Sequence, residues 1–229
     1  MLKEASLITA RTRFMTPARG SLDAFGRLPL GSFPTPVYEI RMGNGSGIWI
    51  KDDGVCSDSY GGNKVRKLEY LLAEARRRGK QRLIVHGDTG SHNVMACSLY
   101  GRLCGFGVTA VVFPLREDDE ARRGMQKLAA SGVSLVLHRN MLPTVLHASL
   151  LGLKRSSYLV PLGSSSPLTT TGYIRAAVEL CQQIEEGSLP APEKIFIAHA
   201  TGGSVAGLLI GLAMMQSPVR VVAVQTAES

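Results

Sequence analysis

The sequence predicts an α/β protein built from two parallel-sheet units of the αβα type, the second of them incomplete. Three observations lead there. From residue 65 onward, short apolar runs alternate with stretches of helical periodicity. Most of the apolar runs are too short for buried helices and are rich in Val and Ile. Glycine-bearing loops join strand to helix at 87–93 and 200–204, as crossover connections of parallel sheets require. With 229 residues and 45% apolar composition, the chain can bury one good core or two small ones.

The elements follow in order. Helix 65–78 carries Leu68, Leu71, Leu72 and Ala75 on one face and stops at Gly79. Strand 82–86 leads through a glycine loop into a helix from about Asn93 to Leu103. Strand 108–113 is β-branched; helix 119–130 opens behind Asp118 and closes near Gly132; strand 133–138 comes next. Residues 158–161 read as a short strand, and 171–186 as a helix that ends at Gly187. Strand 194–199, helix 204–215 and strand 219–225 complete the alternation. Residues 66–170 then make a compact smaller domain, and 171–229 joins 1–65 as the larger one.

Bulk properties narrow the function classes. The net charge of +8 raises nucleic acid or a phosphorylated ligand as partners. The charge is dispersed, however. Its densest cluster, Arg76 to Arg78 with Lys80, falls at a helix end, where cations complement the dipole and sit in water. No zinc-ligand spacing, RNA-binding aromatic signature or basic tail accompanies it, so nucleic acid is not expected. Cys56, Cys97, Cys104 and Cys181 form no Cys-x-x-Cys, and Cys97 and Cys104 read as core thiols of a reducing compartment. No apolar run approaches the ~20 residues of a membrane span. Leu7 to Arg19 is acid-poor and contains arginine, a faint resemblance to a transit peptide, but no secretory apolar region is present and the cytoplasm is the expected location. Asn44-Gly45-Ser46 reads as a turn.

The segment with most chemistry is Gly61-Gly62-Asn63-Lys64, followed by Val65-Arg66-Lys67-Leu68-Glu69-Tyr70. It sets a lysine at the mouth of a helix, behind a glycine pair. Glycines let the backbone approach a planar ring closely. The positive end of the helix disfavours the ammonium form. An amine that attacks an aldehyde and then moves protons needs such a setting, and lysine is the side chain whose pKa shifts readily enough to do both. A solvated lysine at a helix start is the plainer alternative. The reading adopted is a pyridoxal-phosphate enzyme with Lys64 as its covalent anchor.

Two loops support it. In Gly87-Asp88-Thr89-Gly90-Ser91-His92-Asn93, between strand and helix, backbone N–H groups can seat a carboxylate or phosphate, or the loop is simply a helix cap. In Ala200-Thr201-Gly202-Gly203-Ser204, small residues, converging N–H groups and two hydroxyls suit a phosphate; the alternative is a tight turn with Ala206 and Gly207 packing. The missing Gly-Lys-Ser/Thr excludes a nucleotide P-loop. Gly105 to Ala110 fits a dinucleotide string loosely, but it ends a helix and opens a strand, the reverse of the fingerprint. The histidines look unclustered, and no metal is expected.

The lysine segment, with Asp52-Asp53-Gly54 before it, resembles that of the 1-aminocyclopropane-1-carboxylate deaminase and D-cysteine desulfhydrase family. Leu28 to Val37, Ser91-His92-Asn93 and Thr201 to Leu208 extend the resemblance over most of the chain. It implies the fold-type II, tryptophan synthase β-like architecture and the cofactor pyridoxal 5'-phosphate. It implies deamination of a small amino acid to a 2-oxo acid and ammonia, after ring opening or loss of sulfide. By the same resemblance Lys64 and Ser91 are catalytic, Ser91 and His92 face substrate, and Lys64, Asn93, Thr201, Gly202, Gly203 and Ser204 hold the cofactor. Three departures stand out. Gly90 replaces a glutamine, and His92-Asn93 reverses the family's Asn-His, leaving open which of the two reaches the cofactor hydroxyl. Ala200 stands for the first glycine of the phosphate loop. Family members continue for a further C-terminal third, so the alternative is a non-catalytic fragment that binds cofactor or a partner chain. A homo-oligomer, with self-association through uncovered apolar surface and weak turnover, is the matching expectation.

Overall fold

A computed structural model describes residues 26–43, 45, 47–115 and 119–226, without the side chains of residues 120 and 121. The expected transit-like stretch, the Asp118 cap, Asn44 and Ser46 of the expected turn, and the last three residues lie outside the described residues.

The first elements among the described residues form an antiparallel hairpin, β1 (Val37–Arg41) and β2 (Gly47–Lys51), paired from Val37 with Lys51 to Arg41 with Gly47. Then come α1 (Asn63–Arg77), β3 (Arg82–Asp88), α2 (His92–Leu103), β4 (Gly107–Phe113), α3 (Asp119–Ala130), β5 (Ser134–Leu137), α4 (Met141–Gly152) and β6 (Ser157–Leu159). These strands form a parallel four-stranded sheet in the order β5-β4-β3-β6. Next is α5 (Pro167–Glu185), followed by β7 (Lys194–His199), α6 (Gly203–Met214) and β8 (Arg220–Gln225). β7 and β8 pair in parallel as a separate sheet. The α/β class and the strand–helix alternation stand as expected from the sequence.

The hairpin and one helix were not legible in the sequence, and the start of another helix was misplaced. The β1–β2 hairpin has mostly exposed residues and little alternation to announce it. Helix α4 buries Thr144 and Ala148, while Met141, Leu142, Leu146 and Leu150 are exposed, so its apolar residues do not mark one face. Pro143 also discourages a helix reading, although it falls in the first turn, where a missing N–H costs nothing. Helix α5 begins at Pro167 rather than 171, because Ser166 and Thr169 form a reciprocal capping box in which threonine does the work usually given to Glu or Gln.

The main core lies between α1, α2 and the four-stranded sheet. Val65, Leu68, Leu71 and Leu72 of α1 pack with Leu83, Val85, Val94, Val108 and Val112. Arg66, Lys67 and Glu69 are buried as well, so residues 65–72 of α1 are enclosed on all sides. A second core joins Ala177 and Cys181 of α5 to Leu208 and Leu212 of α6. Here glycines matter for packing. A Cβ on Gly207 would lie 2.6 Å from the Tyr173 Cβ, and one on Gly211 2.5 Å from the Ala177 Cβ, so α6 lies against α5 only because both positions lack side chains.

Arg66 ties the hairpin end to α1 and α5. Its guanidinium donates to both Asp53 carboxylate oxygens at 2.8 and 2.9 Å and to both of Glu179 at 2.9 and 3.0 Å. Phe33 lies beneath it, 4.2 Å from ring centroid to the guanidinium carbon. Lys51 adds a 2.6 Å ion pair to Glu179. The segment before Lys64 is thus fixed to the body of the protein.

Candidate active site

The glycine pair has a structural task that differs from the one expected. Gly62 adopts φ +112° as the N-cap of α1 and donates its N–H to Asp53 O at 2.6 Å. Gly61 passes so close to the Gly54 carbonyl that no side chain fits. The glycines let two backbone segments cross and aim the first turn of α1; no ring is needed to explain them.

Lys64, the second residue of α1, is half-buried, and burial pulls its amine below the ordinary lysine pKa. It lines a cavity of about 200 Å³ together with Lys67, His92, Thr201, Gly202 and Ser204. The expected lysine, the expected 201–204 loop and His92 are therefore brought to one place. Gly202 is left-handed at φ +81° and caps α6, so the loop turns into the helix with its first N–H groups at the cavity. No acidic side chain lines this cavity among the described residues.

Lys67 is the site residue that sequence reasoning undervalued. It lies one turn from Lys64 and is 1% exposed. Burial, with the neighbouring charge of Lys64 second, lowers its pKa to about 8. Its ammonium donates to Ser165 Oγ at 2.9 Å, and Ser165 Oγ meets Thr201 Oγ1 at 2.7 Å. A Cβ added to Gly203 would come within 2.7 Å of Ser165 Oγ and 3.2 Å of Lys67 Nζ. The i, i+3 spacing of the two lysines was the available signal. Ser165, 98 residues from Lys67, offered none.

The β3–α2 loop divides its residues. Ser91 caps α2, its Oγ accepting from Val94 N at 3.4 Å. Asn93 is buried, with Oδ1 accepting from Ser164 Oγ at 2.7 Å. His92 lines the cavity and contacts the Tyr60 hydroxyl through Nδ1 at 2.7 Å. Of the two residues left open by the sequence, His92 is the one at the cavity. The histidines are also less scattered than expected, since His138 Nε2 lies 2.9 Å from His147 Nδ1.

A larger cavity of about 640 Å³ lies beside Arg66, Glu69, Arg175 and Glu179 and contains neither Lys64 nor Lys67. Two of its carboxylates are engaged, Glu69 by Arg27 and Glu179 by Arg66 and Lys51. The smaller cavity has the chemistry. Two depressed amines, adjacent hydroxyls and a helix N-terminus without a carboxylate fit an anionic, aldehyde-bearing ligand such as pyridoxal phosphate.

Comparison with known proteins agrees. The family model described as pyridoxal-phosphate dependent enzyme matches residues 28–229. A Pyrococcus furiosus protein provisionally named a 1-aminocyclopropane-1-carboxylate deaminase is 29% identical over 211 residues, covering 88% of this chain and 63% of its own. A D-cysteine desulfhydrase of Salmonella paratyphi B is 29% identical over 229 residues, with 91% and 66% covered. The solved structure of a 1-aminocyclopropane-1-carboxylate deaminase homologue superposes with a TM-score of 0.77 at 27% identity, covering 94% of this chain and 68% of that one. The chain thus spans a little under two thirds of the length of these curated relatives.

Proposed function

Because the chain belongs to the family of pyridoxal-phosphate dependent enzymes, we propose that its lysine cavity holds that cofactor and serves the deamination of a small amino acid, of the 1-aminocyclopropane-1-carboxylate or D-cysteine kind, to a 2-oxo acid and ammonia. One observation carries this reading: Lys64 and Lys67, both with lowered pKa, share with the 201–204 loop one cavity that no carboxylate lines among the described residues.

When bound, the cofactor supplies an electron sink that acidifies the amino acid's C–H bonds. The chain's own residues do the rest. Lys64 Nζ, whose pKa burial lowers, is the covalent anchor and the base that accepts a substrate proton. Thr201 Oγ1, Ser204 Oγ and the N–H groups opening α6 take the phosphate oxygens, while Gly202 and Gly203 leave room for them. Lys67, linked through Ser165 to Thr201, adds positive charge behind that loop. Ser91 is assigned to the substrate carboxylate, and His92 to the ring and substrate. Asn93 holds Ser164 and steadies the start of α2.

The same reading keeps 66–170 as the smaller unit and 171–229 with 1–65 as the larger, supported by a separate parallel sheet in each. It keeps the cytoplasm and a homo-oligomer as part of the proposal, with no nucleic-acid partner on account of the dispersed charge; among the described residues no helix is long and apolar enough to cross a membrane.

The test is direct. The purified chain with pyridoxal phosphate should acquire a visible absorption band, borohydride should fix the cofactor on Lys64 by peptide mass, and D-cysteine or 1-aminocyclopropane-1-carboxylate should release a 2-oxo acid. Cofactor fixed on another lysine would overturn the anchor, and a band without product would leave a binding protein rather than a deaminase.

A further inference from the structure

Helix α4 is apolar around most of its circumference, yet only one side of it is buried. Thr144 and Ala148 face inward, and Ala148 packs with Ile84 and Val111 of the sheet, with Leu151 against them. Leu142, Leu146, Leu150 and Leu153 follow one another at i, i+4, i+8 and i+11, a spacing that sets them together on the opposite side. They are 57–80% exposed. A helix that is apolar all round is ordinarily covered all round. Among the described residues no element covers this leucine stripe, and an apolar patch of that kind marks a contact surface.

The charge around the stripe decides what fits on it. Residues 121–178 include no Asp or Glu. Arg139 stands directly before the Asn140 cap of α4, and Lys154 and Arg155 directly after Leu153. All three are exposed. Lys80 joins the second group, its Nζ donating to Arg155 O at 2.8 Å. The helix dipole accounts for cations at the C-terminal end, but it disfavours Arg139 at the other. A second copy of the chain is ill-matched to this face. Two-fold pairing, parallel or antiparallel, sets one cationic end against another, with no carboxylate from residues 121–178 to offset them. A nucleic acid would meet the cations and leave the leucines in water. An anionic lipid surface takes both, because leucines enter the acyl boundary while lysine and arginine stay among the headgroups.

We propose that the outer side of α4 is a membrane-contact surface, which lies flat in the interface of an anionic bilayer. Leu142, Leu146, Leu150 and Leu153 enter the boundary between headgroups and acyl chains, and Arg139, Lys154 and Arg155 hold the two ends of the helix to anionic headgroups. The contact is peripheral and reversible, since a short stripe buries little apolar area and nothing spans the bilayer. It stands apart from the cofactor reading: α4 contributes no residue to the lysine cavity.

The test uses the full chain and extruded vesicles of phosphatidylcholine, alone or mixed with phosphatidylserine. Co-sedimentation should show binding to the mixed vesicles that weakens with salt, and little binding to the neutral ones. Leu146→Ser combined with Leu150→Ser should weaken binding by more than about 10-fold. Arg139→Gln, Lys154→Gln and Arg155→Gln together should also weaken it by at least about 10-fold, each cation near an anionic surface contributing roughly a factor of five. Urea unfolding checks that each variant keeps its fold. Should the leucine variant lose it, a Leu150→Trp reporter in the otherwise unaltered chain decides: its emission should move to shorter wavelength when mixed vesicles are added. Binding that ignores phosphatidylserine or survives the leucine substitutions, or a reporter that does not shift, would overturn the proposal. So would a chain indifferent to every vesicle, which leaves the face to another macromolecule. A lipid-free dimer that Leu146→Ser and Leu150→Ser convert to monomer would assign the stripe to a second copy. An oligonucleotide retained through the three cations but not the leucines would assign that charge to nucleic acid, and either result would likewise refute the lipid contact.

Discussion

Lys67 Nζ donates to Ser165 Oγ at 2.9 Å, and through that hydroxyl a buried lysine of α1 is joined to Thr201 of the 200–204 loop. The contact spans 98 residues of sequence and connects the lysine helix to the proposed phosphate cradle. It also has a thermodynamic cost, because the amine lies where water cannot solvate it.

That cost gives the first prediction. The folded-state pKa of Lys67 is lowered to about 8, by burial first and by Lys64 second, against about 10.4 for an unfolded lysine. The unfolded chain binds the extra proton between those values, so stability rises with pH through that window, and the full penalty is present below pH 8. Lys67→Met should raise the stability of the cofactor-free chain near pH 7 by about 1–3 kcal/mol and lose that advantage above pH 10, measured by urea unfolding at several pH values. The same variant should bind pyridoxal phosphate at least about 10-fold more weakly, as expected for losing a charge-assisted contact.

The loop itself is tested by Gly203→Ala. The added methyl would meet Ser165 Oγ at 2.7 Å and Lys67 Nζ at 3.2 Å, so the chain must displace the pair that backs the phosphate loop. Cofactor affinity, followed by fluorescence titration, should fall by more than the ~1 kcal/mol of one ordinary hydrogen bond. Unchanged affinity would return the loop to a packed turn.

Acid stability follows from Glu179. Burial alone would raise its pKa, but the hydrogen bonds and charge of Arg66, followed by those of Lys51, outweigh it and leave the carboxyl below its ordinary value. A depressed carboxylate contributes stability above its unfolded pKa of about 4.3 and loses it as pH falls through the folded value. Unfolding free energy should therefore decline below about pH 4. Glu179→Gln, which leaves Arg66 and Lys51 under-compensated, should cost about 3 kcal/mol at pH 7. A flat acid profile, or a neutral substitution, would deny the network its structural role.

Association should track apolar surface that no described element covers. Phe196 is 68% exposed on β7 and Val224 47% exposed on β8, whereas Ile195, Ile197 and Val221 of the same strands pack toward α6. The double substitution Phe196→Ser and Val224→Ser should reduce self-association in light scattering, with little change in unfolding free energy because both side chains already contact water. Unaltered particle size would move the contact elsewhere, first to the Leu142, Leu146 and Leu150 face of α4.

The sequence by itself determined the α/β class, most of the strand and helix register after residue 65, the candidate lysine and the 201–204 loop. These are local signals: apolar period, glycine turns, and one amine beside a helix start. Tertiary structure decided the rest. Whether Gly61 and Gly62 serve a ligand or a chain crossing depends on Gly54 and Asp53, which no spacing rule connects to them. Whether His92 or Asn93 faces the cavity depends on Ser164, 71 residues away, which engages the asparagine. Lys67 became a site residue only when folding buried it against Ser165 and beside Lys64, since desolvation and a like charge are properties of the packed interior and not of the string.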